Sequence, residues 1–573
     1  MISSRFRVAL TALVLWMCLG APSAQAGDAA EALVRLLPGE PALCVVVEDL
    51  RGHAEKLREK GLVDLLFDSP LSSLLPQGLN RESVAELERL LQNHLQSNFE
   101  EIVEAVLGDA LVLAYWPPRD NQPERSVILA KARSPDKAMI LLKRLHTVQM
   151  QAGQVEKVET RTVGQASYFR LVEQGGQPQF QAIHEGVLVL TQEEQSVRRV
   201  LETLSEAPKE TGFSRRYAAL GREPALLRVL LSPRVFDADL ASKAEAAPEN
   251  EAVFLKEFLR YWQSIESLGL TLAIQPDLTL ALHVQADVAK LPETARRALA
   301  EAAKPSALWN YVPANAMLAL GGRCDVDALW DAFQTFLPTP GREQMVADLE
   351  QNTRALFGLG FRDDIIKHLG PDGIAYIAPP AGLFSVMPEV LLAVKIRCDE
   401  ADRRRIESEW SDALKTLAGV IALARTQAGQ PTSLRTRQTS FGRIVYLEGP
   451  GMPIPGMQPA GAIKDGCLVL ALSPDTIIRF RRRDAKEFAA EKQTAPLLGL
   501  LNSKATLDMM VNNPVNRAAL TSVLALMNGG NVVEANGRVE TLRDLLKSFE
   551  TVELRYRPQD NGGSVELRIR LAK

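Results

Sequence analysis

Cysteine, histidine and long apolar runs are all scarce in this 573-residue chain, and each scarcity removes a class of function. Cys18 sits in an N-terminal apolar run, and only Cys44, Cys324, Cys398 and Cys467 follow it. No pair of these has metal-ligand spacing, and a chain of this length needs no disulfide framework to hold its fold. The six histidines, His53, His94, His146, His184, His283 and His368, include no pair at zinc-binding spacing and no H-E-x-x-H, so each reads as a surface or capping residue. No G-x-S-x-G elbow and no G-x-x-x-x-G-K-[ST] loop occurs, which removes the common serine hydrolases and nucleotide-phosphate cradles. Gly358 and Gly360 in "LFGLGFRDD" lack the rest of a dinucleotide fingerprint and read as a helix end and turn. The acid pairs Glu100–Glu101 and Asp363–Asp364 read as solvated helix starts, since adjacency in sequence does not pair carboxylates in space. A net charge of −4 is close to balance and supplies no field for nucleic acid. No catalytic residue, cofactor or metal is assigned, and the expectation is a protein that is not an enzyme.

What is present begins with the N-terminus. Arg5 and Arg7 precede "VALTALVLWMCLGA" and then "SAQA", with Ala24 and Ala26 where a signal peptidase reads small residues. Residues 1–26 are therefore expected to be a signal peptide; Trp16 and Met17 are too bulky for a lipoprotein signal at Cys18. Beyond residue 26 no apolar stretch is long enough to cross a membrane. The protein is expected to be exported, periplasmic or secreted. Its composition, 46% hydrophobic and 24% charged, is that of a globular chain.

The chain also repeats itself. "LGDALVLAYWPP" at 107–118 is matched by "LGPDGIAYIAPP" at 369–380, and the strands that follow align Lys131 with Lys395 and Arg133 with Arg397. "VGQASYFRLV" echoes "FGRIVYLEG", "EGVLVLTQEEQSVRRV" echoes "DGCLVLALSPDTIIRF", and "LPGEPALCVVVEDL" answers "VPANAMLALGGRC". The matches keep their order, so a tandem duplication is expected, with repeats over 27–300 and 301–573. Short runs of branched residues suit buried strands, whereas "PDKAMILLKRLHTVQMQ", "EEQSVRRVLETL" and "FLKEFLRYWQSI" carry helical spacing. The pattern predicts an α+β fold of mainly antiparallel sheets packed with helices. The exported N-terminus, "LPGEPALCVVVEDL", "GDALVLAYWPP" and "EGVLVLTQEEQSVRRVLETL" resemble an uncharacterised family of exported bacterial proteins classed as a domain of unknown function. The resemblance covers residues 31–300 well and the second half more loosely, and it implies a fold and a location but no active site.

The repeats differ in their loops. Where the first has "RDNQPER" and "EQGGQPQ", the second has "AGLFSVMPE" and "GPGMPIPGMQPAGA". Leu383, Phe384, Met387, Met452, Ile454 and Met457 thus become candidate contacts for a partner or ligand, unless they fold back on the first repeat. Arg479, Arg481, Arg482 and Arg483 are a candidate anion site, weighed against a simple basic helix end. The functional expectation is a non-catalytic binding or structural protein of the envelope, with an unknown protein or envelope component as partner, no nucleic acid and no transmembrane span. The alternative is a carrier that holds an apolar small molecule or lipid in a cavity between sheet and helices.

Overall fold

The computed structural model describes residues 26–572, apart from 50–51, 54–80, 103–104, 107–108, 120–122, 175, 207–208, 222–224, 275–276, 381–386, 451, 453–455, 484–495, 528 and 560. The expected signal peptide lies outside the described residues except for Ala26. The α+β expectation is met by antiparallel sheets with helices on them. The chain divides into two compact units, one of residues 1–235 with 265–285, the other of 236–264 with 286–573.

The first unit contains helices α1 (Ala26–Arg35), α2 (Arg81–Leu95), α3 (Pro135–Gln151) and α4 (Glu194–Ser205). Its strands are β1 (Leu43–Glu48), β2 (Ala110–Trp116), β3 (Arg125–Lys131), β4 (Val155–Val163), β5 (Ala166–Glu173), β6 (Gln179–His184), β7 (Val187–Thr191), β8 (Leu227–Leu231), β9 (Ile265–Ile274) and β10 (Leu278–Ala286). They pair in the order β10-β9-β8-β1-β2-β3-β7-β6-β5-β4. β2 is buried along nearly its whole length and ends at Pro117–Pro118, where the missing N–H groups stop further pairing. One face of this sheet carries Cys44, Val46, Val112, Leu129 and Val189, packed under Leu33 and Val34 of α1 and Val197 and Val200 of α4. α3 lies along β4 and β6 and packs against α2, with Arg144 donating to the Leu95 carbonyl at 2.8 Å.

The second unit adds α5 (Glu249–Trp262), α6 (Thr339–Phe357), α7 (Arg403–Gln427) and α8 (Pro474–Arg479). Its strands are β11 (Leu318–Arg323), β12 (Leu369–Ala378), β13 (Glu389–Ile396), β14 (Ser433–Thr439), β15 (Gly442–Glu448), β16 (Ala460–Lys464), β17 (Cys467–Ala471), β18 (Leu497–Asn502), β19 (Phe549–Gln559) and β20 (Gly562–Leu571). Their order is β20-β19-β18-β11-β12-β13-β17-β16-β15-β14. Position for position it is the order of the first unit. The inner face of this sheet, with Ala319, Ile374, Ala393 and Val469, packs under Leu308, Trp309, Ile477 and Phe480. Gly358 ends α6 in the left-handed region at φ 70°, as read from the sequence.

A small device recurs in both units. Glu185–Gly186 and Asp465–Gly466 are two-residue hairpin turns, with φ of 49° and 75° in one and 52° and 68° in the other. Both central residues are left-handed, as a type I′ turn requires, which explains the glycine at its second position. Lys131 reaches the Glu185 carbonyl at 3.0 Å and Lys395 reaches the Asp465 carbonyl at 3.0 Å. The lysine satisfies an oxygen that the strained turn leaves outside the ladder.

Candidate apolar cleft

The outer face of the second sheet is where its side chains go unspent. Alternation along β11 sends Ala319 inward and leaves Leu318 and Leu320 outward, 44% and 48% exposed. Leu392 of β13 and Leu470 of β17 face the same way. α7 crosses above β14, β15 and β16, and its residues Leu414, Leu417, Ala418 and Ile421 close one side of a cleft over these strands. The cleft has a volume of about 670 Å³, within the range of about 300–1,000 Å³ usual for small-molecule sites. None of its lining residues carries a charge. Tyr376 contributes to the wall, but its ring belongs to the inner core beside Ile374 and Ala378. Burial, and then Glu389, push its hydroxyl far up, so it stays neutral.

Cross-strand register gives the physical reason for the space. In the first unit one outward row runs Val229, Val45, Leu113, Ile128, Leu190, Gln181, Phe169. The matching row in the second unit runs Gly499, Leu320, Ala375, Leu392, Leu470, Gly461, Val445. Glycine or alanine replaces valine, leucine and glutamine, and valine replaces phenylalanine. In the first unit His146 of α3 bonds Gln181 at 2.9 Å, and its ring stands edge-on to Phe169 with centroids 5.2 Å apart. That contact clamps helix to sheet. In the second unit Leu414 of α7 lies over Gly461 instead, its Cδ2 3.3 Å from where a Cβ would be.

The candidates read from sequence fall elsewhere. Leu383, Phe384 and Ile454 lie outside the described residues. Met387, Met452 and Met457 are half-buried, and none of them lines the cleft, whose walls come from strands and α7 with only Pro459 and Leu472 at loop ends. Arg479 is the last residue of α8 and pairs with the buried Glu389 at 2.6 Å. Arg481 and Arg482 are exposed, while the Arg483 backbone N–H donates to the Asn310 carbonyl at 2.8 Å. The reading of every histidine as a surface or capping residue is corrected, because His53, His146 and His283 are buried. For His146 and His283 the cost of burial is met by a partner, Gln181 and Thr271 respectively.

A second cluster, in the first unit, joins Glu48, Tyr217, Arg228 and His283. Arg228 Nε lies 3.0 Å from Glu48 Oε1, Tyr217 donates its hydroxyl to the same oxygen, and the Ala225 N–H donates to Oε2 at 3.3 Å. Burial raises the Glu48 carboxyl above its usual range, with Arg228 pulling the other way. Burial, and then Arg228, lower His283. Glu48, Tyr217 and Arg228 pair with one another, Arg228 also donates to the Gly221 carbonyl, and His283 bonds Thr271, the pattern of a buried structural ion pair. Among the described residues no three His, Cys, Asp or Glu side chains are placed to hold a metal, the four cysteines from Cys44 onward are unpaired, and no helix is long and apolar enough to cross a membrane.

Fold and cleft together define an α+β protein with an apolar cleft between one helix and one sheet. The chain belongs to the family described as Protein of unknown function (DUF3352), whose model matches residues 76–417, from just before α2 to within α7. No curated protein matches it.

Proposed function

We propose that the protein is an exported, non-catalytic binding protein, duplicated in tandem, whose second unit carries an apolar small molecule or lipid chain in the cleft beneath α7. The observation that carries this reading is the cleft itself, about 670 Å³ in volume and walled without a charge. Leu318, Leu320, Leu392, Leu417, Ile421 and Leu470 are each 38–48% exposed. Leaving so much of each side chain in water forgoes on the order of 1 kcal/mol apiece, which a bound apolar molecule recovers. Duplication is supported by the shared strand order and by the paired Lys131 and Lys395 turns, and export by the residues around Ala24 and Ala26.

The test is titration of the full chain with cis-parinaric acid, a fatty acid whose fluorescence rises in an apolar site. Saturable one-to-one binding is expected. Ala375→Leu, which restores the leucine of the first unit's row at Leu113, should weaken it by about tenfold or more by filling the space. Absence of binding, or equal binding by Ala375→Leu, overturns the reading.

A second reading, docking on a protein or envelope component, is favoured by the aromatic cluster of Phe254, Phe258 and Phe336, in which Phe254 is 50% exposed. Co-sedimentation of the full chain with phospholipid vesicles, lost in Phe254→Ser, would support it; a chain that stays in the supernatant would count against it.

A further inference from the structure

The cleft does not end at its inner wall. A smaller cavity of about 150 Å³ lies against the same helix, lined by Phe357, Leu359, Ile365, Trp410, Ala413 and Leu468 together with Leu414 and Leu417. Leu414 and Leu417 line both spaces. The first cavity reaches along α7 to Ile421 and the second to Trp410, so the two succeed each other over about 16 Å of helix. Below them, Leu470 faces the first and Leu468 faces the second, two residues apart on one face of β17.

We propose that Leu414 and Leu417 form a septum in one elongated apolar channel and set the length of the alkyl chain that the second unit accepts. The proposal rests on the carrier reading and commits to a single unbranched chain with its polar end in solvent. Charge complementarity selects that ligand: neither chamber contains an ionisable group apart from the inward-turned Tyr376, so a headgroup buried there would have no counterpart. The line of the two chambers along one face of α7, with β17 beneath and Phe357, Leu359 and Ile365 closing the far end, matches a linear chain better than a fused ring. In the wild-type protein the chain stops at the two leucines. Removing the Leu414 isobutyl group joins the chambers, and the newly reached wall at Trp410, Phe357 and Leu468 is apolar throughout.

The experiment displaces cis-parinaric acid from the full chain with saturated fatty acids from decanoate to eicosanoate. Wild type should show affinity rising with length and then levelling. In Leu414→Ala the plateau should move to longer chains, with about tenfold tighter binding for each two methylenes newly buried, and Leu417→Ala serves if Leu414→Ala does not fold. Adding Ala413→Leu, which fills the second chamber, should return the plateau to its wild-type place. If wild type binds but neither leucine variant moves the plateau, the septum is overturned and the cleft stands. If no chain displaces the probe from wild type, or none binds at all, the carrier reading fails and the septum with it.

Discussion

The two units share a strand order and differ in what they do with the same positions. In the first, the outward row is filled by Val45, Leu113 and Gln181, and helix α3 is clamped down by His146. In the second, Leu320, Ala375 and Gly461 stand in those places and a cleft remains. The difference shows that a cleft can form within the same strand order where side-chain volume is reduced at two positions of one row, Leu113 to Ala375 and Gln181 to Gly461, even though Leu320 is larger than Val45. The same exchange occurs in charge. Glu48 at the end of β1 faces Ala110 and pairs with Arg228 of β8, whereas Arg323 at the end of β11 faces Asp372 and pairs with it at 3.0 Å. The sign is reversed, and the second pair is joined by Glu301.

Charge gives the largest expected effect. Glu48 and Arg228 side chains are 3% and 6% exposed, so Glu48→Ala strands a buried guanidinium and should cost about 3–5 kcal/mol. Arg323 is more accessible, and Arg323→Ala should cost about 1–3 kcal/mol. Urea unfolding of the two full-length variants would check this, and a larger loss from Arg323→Ala would break the comparison.

The clamp comes next. His146→Ala removes a packed ring and leaves the buried Gln181 without its partner, an expected loss of about 2 kcal/mol. His146→Leu combined with Gln181→Gly reproduces the second unit's pair at Leu414 and Gly461. That double variant should bind a second equivalent of cis-parinaric acid. Stoichiometry that stays at one would show that the clamp alone does not decide which unit is open.

How much of this was legible in the sequence depended on whether the signal was local. α3 matches the periodic stretch "PDKAMILLKRLHTVQMQ" from end to end, and the aligned Lys131 and Lys395 sit over equivalent turns, because helix spacing and hairpin chemistry are written in neighbouring residues. The cleft was not legible. Its walls are leucines at positions such as Leu318 and Leu320, and a strand that is apolar on both faces reads as doubly buried. The small residues in its floor are Ala375 and Gly461, which come from two different strands and fall in one row only once register is known. The polar-to-apolar loop changes single out Met387, Met452 and Met457, none of which lines the space under α7. Burial of His146 and His283 was missed for a related reason, since each is satisfied by a side chain, Gln181 or Thr271, that no sequence spacing connects to it.

The smallest expected effect concerns pH and belongs to the first unit alone. His283 of β10 bonds Thr271 of β9 at 3.0 Å through Nε2, and burial followed by Arg228 holds its pKa below the ordinary 6.5. The unfolded chain therefore takes up this proton first as pH falls. The stabilising contribution of the neutral ring is complete above about pH 6.5 and is lost progressively as pH drops from there toward the folded pKa. Hydrogen exchange of the β8 and β9 amides, compared near about pH 7 and about pH 5 after correction for intrinsic rates, should show protection lost in the wild type. His283→Gln keeps a group able to bond Thr271 but removes the titration, so its protection should change less over the same interval. Equal pH dependence in both proteins would mean that a group other than the buried imidazole governs the response, and that group is not Glu48, whose raised pKa stabilises the fold as pH falls.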